Sequence, residues 1–187
     1  MTTELHIKNM VCPRCISSVR SILAEAGLQV QEVTLGHAVL ADTPPADPAR
    51  LRPLLEAAGF ELLQSRDEQL VEQVKLALAG YLEHLRTARL PLTASAYLAE
   101  RFDSSYAHLS KLFSRAVGLT LEKYLIRLKI ERVKELLSYG QLTLAEIADE
   151  LRYSSSQHLS TQFRQVTGQT VTEYKTHPRR TSLDQLV

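Results

Sequence analysis

The chain has too little cysteine for a scaffold held by disulfides: two of its 187 residues are cysteine, and both fall in one C-x-x-C, Cys12 and Cys15. Thiols that close together cannot staple a whole molecule, so they ask for a local chemical explanation. Long apolar runs are missing as well. No stretch of eighteen or more apolar residues occurs, which excludes a transmembrane helix by length. Met1 to Lys8 lack the basic start and apolar stretch of a secretion signal, so the expectation is a cytoplasmic protein with no membrane partner. Beyond the two thiols there is no evident set of acid, base and nucleophile, and an enzyme is not expected.

An excess of charge of one sign is also absent overall, at net +1, yet the balance is uneven along the chain. Residues 1–85 carry seven Lys or Arg against eleven Asp or Glu, and residues 86–187 carry fifteen against ten. An acidic half joined to a basic half fits a DNA-binding part fused to a part with another task. With 44% apolar residues, the chain can bury a core in each of two small domains.

Glu4 to Lys8 alternates polar and apolar residues, the period of a half-buried strand. Ile16, Val19, Ile22, Leu23 and Ala26 then share one helical face, with Gly27 as a stop. Leu28 to Thr34 and His37 to Leu40 read as strands, with a turn at Gly36. Thr43 to Pro48 reads as a loop, and Asp47 before Pro48 starts a second helix with the stripe Leu51, Leu54, Leu55 and Ala58. Gly59 ends that helix, and Phe60 to Leu63 make a last strand. The order predicts an α+β ferredoxin-like (βαββαβ) domain over residues 1–65, with both helices on one face of an antiparallel sheet.

Met10-Val11-Cys12-Pro13-Arg14-Cys15, between the first strand and the first helix, resembles the M-x-C-x-x-C loop of heavy-metal-associated (HMA) domains. Gly59-Phe60 resembles the glycine and aromatic that such domains place in the loop facing the metal, and the likeness covers about residues 3–65. It implies Cys12 and Cys15 as metal ligands. Their chemistry agrees: free amides and the dipole at a helix amino terminus stabilise a thiolate, so Cys15, and to a lesser degree Cys12, is expected to give up its proton readily. Two exposed thiolates suit Cu(I), favoured over Zn(II), Cd(II) or Hg(II), and two cysteines are too few for a closed structural zinc site. Val11, apolar where relatives handling divalent ions often carry an acid, leans the same way. Met10 is expected to pack inward. His6 and His37 are the nearest imidazoles in sequence, and His6, on a strand, reads equally as a surface residue. A redox-sensing dithiol and a purely packing role are the alternatives for the pair.

Ser65 with Glu68 three residues on has the capping-box spacing. Leu70, Val74, Leu78, Leu82 and Leu85 recur almost every four residues, so residues 66–90 are expected to hold a linking helix. Its apolar face covers the next domain or, alternatively, pairs two copies as a homodimer.

Residues 91–178 contain an internal repeat. His108 and His158, Leu109 and Leu159, Ser110 and Ser160, Phe113 and Phe163, Gly118 and Gly168, Thr120 and Thr170, and Tyr124 and Tyr174 pair at an offset of fifty. Ala99 pairs with Ala148 at forty-nine, which implies a second turn one residue longer. Each copy reads as helix, tight turn, helix: Thr93 to Phe102 and Tyr106 to Val117, then Leu144 to Leu151 and a helix from Ser155 to Thr167. Ser105 and Thr143 are caps, and Gly118 and Gly168 are stops. Between the copies, Leu121 to Leu137 marks a helix of roughly eighteen residues, about 27 Å long. That length can hold two recognition helices near the roughly 34 Å of one DNA turn. Residues 179–187 are expected to be a flexible tail, with His177-Pro178-Arg179-Arg180 adding nonspecific attraction.

The segment from about residue 70 to 178 resembles the DNA-binding domain of the AraC/XylS family of bacterial regulators, down to the closing Gly168-Gln169-Thr170-Val171-Thr172-Glu173-Tyr174. The resemblance implies an all-α region of two helix-turn-helix units, double-stranded promoter DNA as partner, and often contact with RNA polymerase. One departure is Arg152, where that family usually has glycine. It is expected either to strain the turn, if the backbone needs positive φ, or to bring a charge near the phosphates. With Leu109, Leu112 and Phe113 taken as buried, Ala107, Ser110 and Lys111 face outward, with Ser114 and Arg115 nearer the DNA backbone. With Leu159 and Phe163 buried, Ser156, Gln157, Ser160 and Thr161 face the groove. Lys111 can donate to guanine and Gln157 can bind adenine bidentately. Arg115, Arg164, Lys123, Arg127 and Arg152 are phosphate candidates, and His108 and His158 read either as packing residues or as DNA contacts. The combined expectation is a sequence-specific transcription regulator responsive to a soft metal. The alternative is a DNA-binding regulator whose first domain serves assembly or protein contact, or senses redox state.

Overall fold

The computed structural model describes residues 2–41, 47–63 and 65–176. The chain divides into two compact units, Met1–Leu76 and Ala77–Val187. Residues 43–46 of the expected loop and the expected tail from His177 onward lie outside the described residues.

The first unit runs β1 (Thr2–Lys8), α1 (Pro13–Glu25), β2 (Val30–Thr34), β3 (His37–Ala41), α2 (Pro48–Ala57) and β4 (Glu61–Leu63). The strands form one antiparallel sheet in the order β2-β3-β1-β4. The alternation in β1 has a direct consequence. Leu5 and Ile7 enter a core with Val19 and Leu23 of α1, Leu51 and Leu55 of α2, and Phe60, so both helices cover the same face. Glu4, His6 and Lys8 therefore point to the opposite face of the sheet. This is the ferredoxin-like α+β arrangement that the element order predicts. Helix α1 begins three residues earlier than the apolar stripe implies, because Pro13 occupies its first turn and Cys12, in extended backbone, takes the N-cap position.

Helix α3 (Arg66–Thr87) starts with the reciprocal cap: the Glu68 amide donates to Ser65 Oγ and the Ser65 amide to Glu68 Oε2, both at 3.1 Å. The boundary between the two units falls within this helix. Its later residues Tyr81 and Leu85 pack with Tyr97 in the second unit.

The second unit continues with α4 (Ala94–Ala99), α5 (Tyr106–Val117), α6 (Leu121–Tyr139), α7 (Leu144–Glu150), α8 (Ser156–Thr167) and α9 (Val171–Thr176). It is all-α, with two helix-turn-helix pairs, α4 with α5 and α7 with α8, joined by the 19-residue α6. Thr93, Ser105, Thr120, Thr143 and Ser155 each cap the following helix by accepting from the amide three residues on. Gly118 and Gly168 close α5 and α8 at φ 74° and 75°, backbone that a side chain resists.

The repeat keeps an offset of fifty throughout, which corrects the expected longer second turn. Thr93 and Thr143, Ser105 and Ser155, and Thr120 and Thr170 are equivalent, and the buried pair Tyr97 and Leu98 corresponds to Ile147 and Ala148. Ala99 is exposed, so Leu98 and not Ala99 stands where Ala148 stands. Each recognition helix is anchored alike: Phe113 meets Tyr124 edge-on at 5.2 Å, and Phe163 meets Tyr174 at 5.5 Å. Both phenylalanines are 0% exposed. Along α6, Ile130, Val133, Leu136 and Leu137 pack under the second pair. No helix among the described residues is long and apolar enough to cross a membrane.

Candidate nucleic-acid interface and thiol loop

The thiol loop is held from several sides. Asn9 leaves β1 in left-handed backbone (φ 71°), which asparagine tolerates better than most residues, and its side-chain amide donates to Gly59 O at 3.0 Å. Its own N–H reaches Glu72 Oε1 at 3.4 Å. Met10 is 0% exposed, packed inward under the loop as expected, and Phe60 lies in the same core. Cys12 and Cys15 are half-buried, with their sulfurs 3.4 Å apart. Two thiolates about 2.3 Å from a tetrahedral ion would stand roughly 3.8 Å apart, so a small rotation suffices for both to reach one ion.

Cys12 is drawn below the ordinary thiol value, by the Cys15 amide first and then by the Cys15 thiol, with burial opposing. Cys12 stands at the N-cap position of α1, where the positive end of the helix dipole favours a thiolate. His6 and His37 belong elsewhere. Among the described residues they gather with Glu4, and neither cysteine joins that group.

On α5 and α8 the residues taken as buried are buried. On α5, Leu109, Leu112, Phe113 and Val117 are buried. Ala107, Lys111 and Arg115 are exposed, and Ser110 and Ser114 half-buried. On α8, Leu159 and Phe163 are buried, whereas Gln157, Thr161 and Arg164 are exposed and Ser156 and Ser160 half-buried. The hydroxyls of Ser160 and Thr161 donate to Ser156 O and Gln157 O at 2.9 and 3.0 Å, which leaves their oxygens able to accept. Lys123 on α6 is exposed and Arg127 half-buried. Beside α8, a cavity of about 400 Å³ is lined by Ser160, Thr161, Arg164, Thr170 and Lys175. His158 is exposed, with its Nδ1 3.0 Å from Ser154 Oγ and its ring edge-on to Tyr153 at 5.3 Å. His108 is exposed.

Arg152 answers both expectations about it. Its φ is 55°, so the turn does need the left-handed backbone that glycine supplies freely. Its charge has a partner within the protein, since Nε and Nη2 lie 3.3 and 3.4 Å from Leu85 O and Ala88 O at the end of α3. Cations favour that end of a helix, where carbonyls lack partners. The same turn is braced by Lys129, whose ammonium donates to Leu151 O at 2.8 Å beneath the Tyr153 ring. Burial depresses the Lys129 pKa and raises that of Tyr153, whose hydroxyl donates to Gln162 Oε1 at 2.6 Å. Nothing in the local sequence singles out Lys129, because its partner lies 22 residues away.

Residues 98–177 match the family model described as a helix-turn-helix domain. The HTH-type transcriptional activator RhaS of Escherichia coli strain SE11 is 34% identical over 67 residues, which are 36% of this chain and 24% of that protein. RhaS of strain SMS-3-5 is 33% identical over the same length and coverage. The chain thus spans about a quarter of the length of the curated relatives it matches. Among solved structures, the C-terminal domain of AraT, a response regulator from Geobacillus stearothermophilus, aligns at TM-score 0.49 and 24% identity, covering 63% of this chain and 92% of that one. An AraC-type transcriptional regulator from Chromobacterium violaceum aligns at 0.46 and 25%, covering 57% and 96%. Residues 98–177 are thus a helix-turn-helix domain.

Proposed function

We propose that the protein is a transcription regulator that binds promoter DNA through α5 and α8 together. Its output changes when the loop of Cys12 and Cys15, in an HMA-like first domain, takes up a soft metal ion, Cu(I) ahead of Zn(II), Cd(II) or Hg(II). The observation that carries this reading is the duplication, two capped and similarly buried helix-turn-helix units at a constant offset joined by one 19-residue helix. At 1.5 Å per residue that helix is about 28 Å long, near the spacing of successive major grooves on one face. The name of the matched relatives, transcriptional activator, supports the output side.

Base edges fall to Ala107, Ser110 and Lys111 on α5 and to Ser156, Gln157, Ser160 and Thr161 on α8, with Arg115 and Arg164 toward phosphates. Arg152 stays a phosphate candidate, its exposed guanidinium steadied by Leu85 O and Ala88 O. On the input side, sulfurs 3.4 Å apart with a readily ionised Cys12 favour a two-thiolate soft-metal site. Metal changes DNA binding only as far as it binds one state of the protein better than the other. Action in the cytoplasm and contact with RNA polymerase at the promoter complete the reading. The closeness of the sulfurs also favours a second one, in which the pair closes to a disulfide and senses oxidation.

The test is binding of the reduced full chain, at fixed salt, to DNA from upstream of its own gene, with and without Cu(I) or Zn(II) and with a thiol oxidant. A metal-dependent change of about tenfold, absent in Cys12→Ser/Cys15→Ser, is expected. A change with oxidant alone selects the redox reading. Affinity indifferent to both overturns the switch, and absence of specific DNA binding overturns the whole reading.

A further inference from the structure

On the sheet face opposite the helices, β1 and β3 bring two imidazoles and a carboxylate together. His6 and His37 are direct cross-strand partners, their ring centroids 5.1 Å apart. Glu4 lies two residues before His6 on β1, hence on the same face. Its Oε2 is 3.4 Å from His37 Nε2. One ligand atom from each of the three lies within 4.8 Å of the other two. Lys8, the next residue on that face, has its ammonium 2.8 Å from Glu61 Oε2 on β4, which turns its charge away from the imidazoles.

We propose that Glu4, His6 and His37 form a second metal site, distinct from the thiol pair, that binds a borderline divalent transition ion of the Zn(II) class. Tetrahedral ligands about 2.0–2.1 Å from such an ion stand roughly 3.3 Å apart. The Glu4 and His37 atoms already have that separation, and His6 needs a side-chain rotation of an ångström or so. The donor set decides the ion class: imidazole nitrogen and carboxylate oxygen suit Zn(II), Cu(II) and Ni(II), whereas the paired thiolates suit softer ions. The strands hold the donors in register, since β1 is paired on both sides, with β3 and with β4. Glu4, with its side chain 61% exposed, opens the site to solvent for ion entry. Three protein ligands leave a fourth position for water or an external donor. Each half of the chain's metal chemistry then stands on its own, and this site does not depend on the thiol loop or on DNA binding.

The site is tested in the full chain carrying Cys12→Ser/Cys15→Ser, titrated with Zn(II) against a chromophoric chelator. One equivalent per chain is expected to remain bound, and adding His37→Ala should weaken it by at least the roughly tenfold that even outer-shell changes cost. A second measurement needs no substitution: in imidazole NMR of the unaltered chain, Zn(II) should shift His6 and His37 and leave His84, His108 and His158 in place. No Zn(II) bound by the thiol-free chain overturns the site. Unchanged affinity in His6→Ala/His37→Ala, or imidazole shifts confined to other histidines, overturns it equally.

Discussion

The two helix-turn-helix units share one frame and differ in how their turns are held. The shared parts are the caps Thr93 and Thr143, Ser105 and Ser155, the closing Gly118 and Gly168, and the aromatic anchors beneath the recognition helices. These set where each recognition helix begins, where it ends and what it rests on. The turns are local solutions. In the first, Arg101 lies 3.5 Å over the Tyr97 ring. In the second, Arg152 sits in left-handed backbone and reaches the end of α3, Lys129 of α6 donates to Leu151 O, and Tyr153 of the turn donates to Gln162 of α8. Duplication thus repeats what positions a recognition helix and leaves its support free to diverge. The outward faces diverge too: α5 presents Lys111 and Arg115, whereas α8 presents Gln157, Thr161 and, near its end, Arg164.

Truncating the anchors should have the largest effect. Phe113→Ala and Phe163→Ala are each expected to cost about 3–5 kcal/mol in urea unfolding, since both side chains are fully buried against a tyrosine. Costs differing by more than about 2 kcal/mol would break the symmetry of the frame. Lys129→Met should come next, at about 1–3 kcal/mol, because it leaves Leu151 O without its donor. Amide exchange should then quicken in α7 and α8 and stay unchanged in α4 and α5; equal quickening in both pairs would mean the brace is not private to the second unit.

A finer comparison separates backbone strain from side-chain contact at the second turn. Arg152→Ala and Arg152→Gly both remove the bonds to Leu85 O and Ala88 O, but only glycine relieves the left-handed backbone. The alanine variant should therefore be the less stable by about 1 kcal/mol. Equal stability would mean that the strain at φ 55° is negligible. The smallest effect concerns acid. The Thr143 hydroxyl, and then its amide, hold the Glu146 carboxyl below its ordinary 4.5. A depressed carboxyl stabilises fully above the ordinary value and loses that contribution as pH falls through the lower folded one. The equivalent position in the first unit is Ala96, which has nothing to protonate. Protection of the amides at the start of α7 relative to their intrinsic exchange, but not of those in α4, should fall as pH drops below the ordinary carboxyl value of 4.5.

Much of this was legible from local chemistry. Serine, threonine and glycine at helix ends name their positions through bonds to neighbours three or four residues away, so the limits of α5 and α8 could be read to the residue or nearly so. The alternation of β1 and the stripe of α1 likewise announced the ferredoxin-like core, whereas of the expected α2 stripe Leu51 and Leu55 enter it and Leu54 and Ala58 are exposed. What failed was identity without environment. Matching Ala99 to Ala148 made the second turn a residue too long, because burial, and not residue type, makes Leu98 the equivalent. Other features depend on partners distant in sequence: His37 lies 31 residues beyond His6, and Arg152 finds its carbonyls 67 and 64 residues back. No window of neighbours contains such pairs.

The central claim is that both helix-turn-helix units read one stretch of DNA, and hydroxyl-radical footprinting of the full chain on its upstream DNA tests it most directly. The account predicts two protected segments on one face of the duplex, about ten base pairs apart. Lys111→Ala should weaken one segment and Gln157→Ala the other, without exchange. A single protected segment, or two variants that fade the same one, would contradict it.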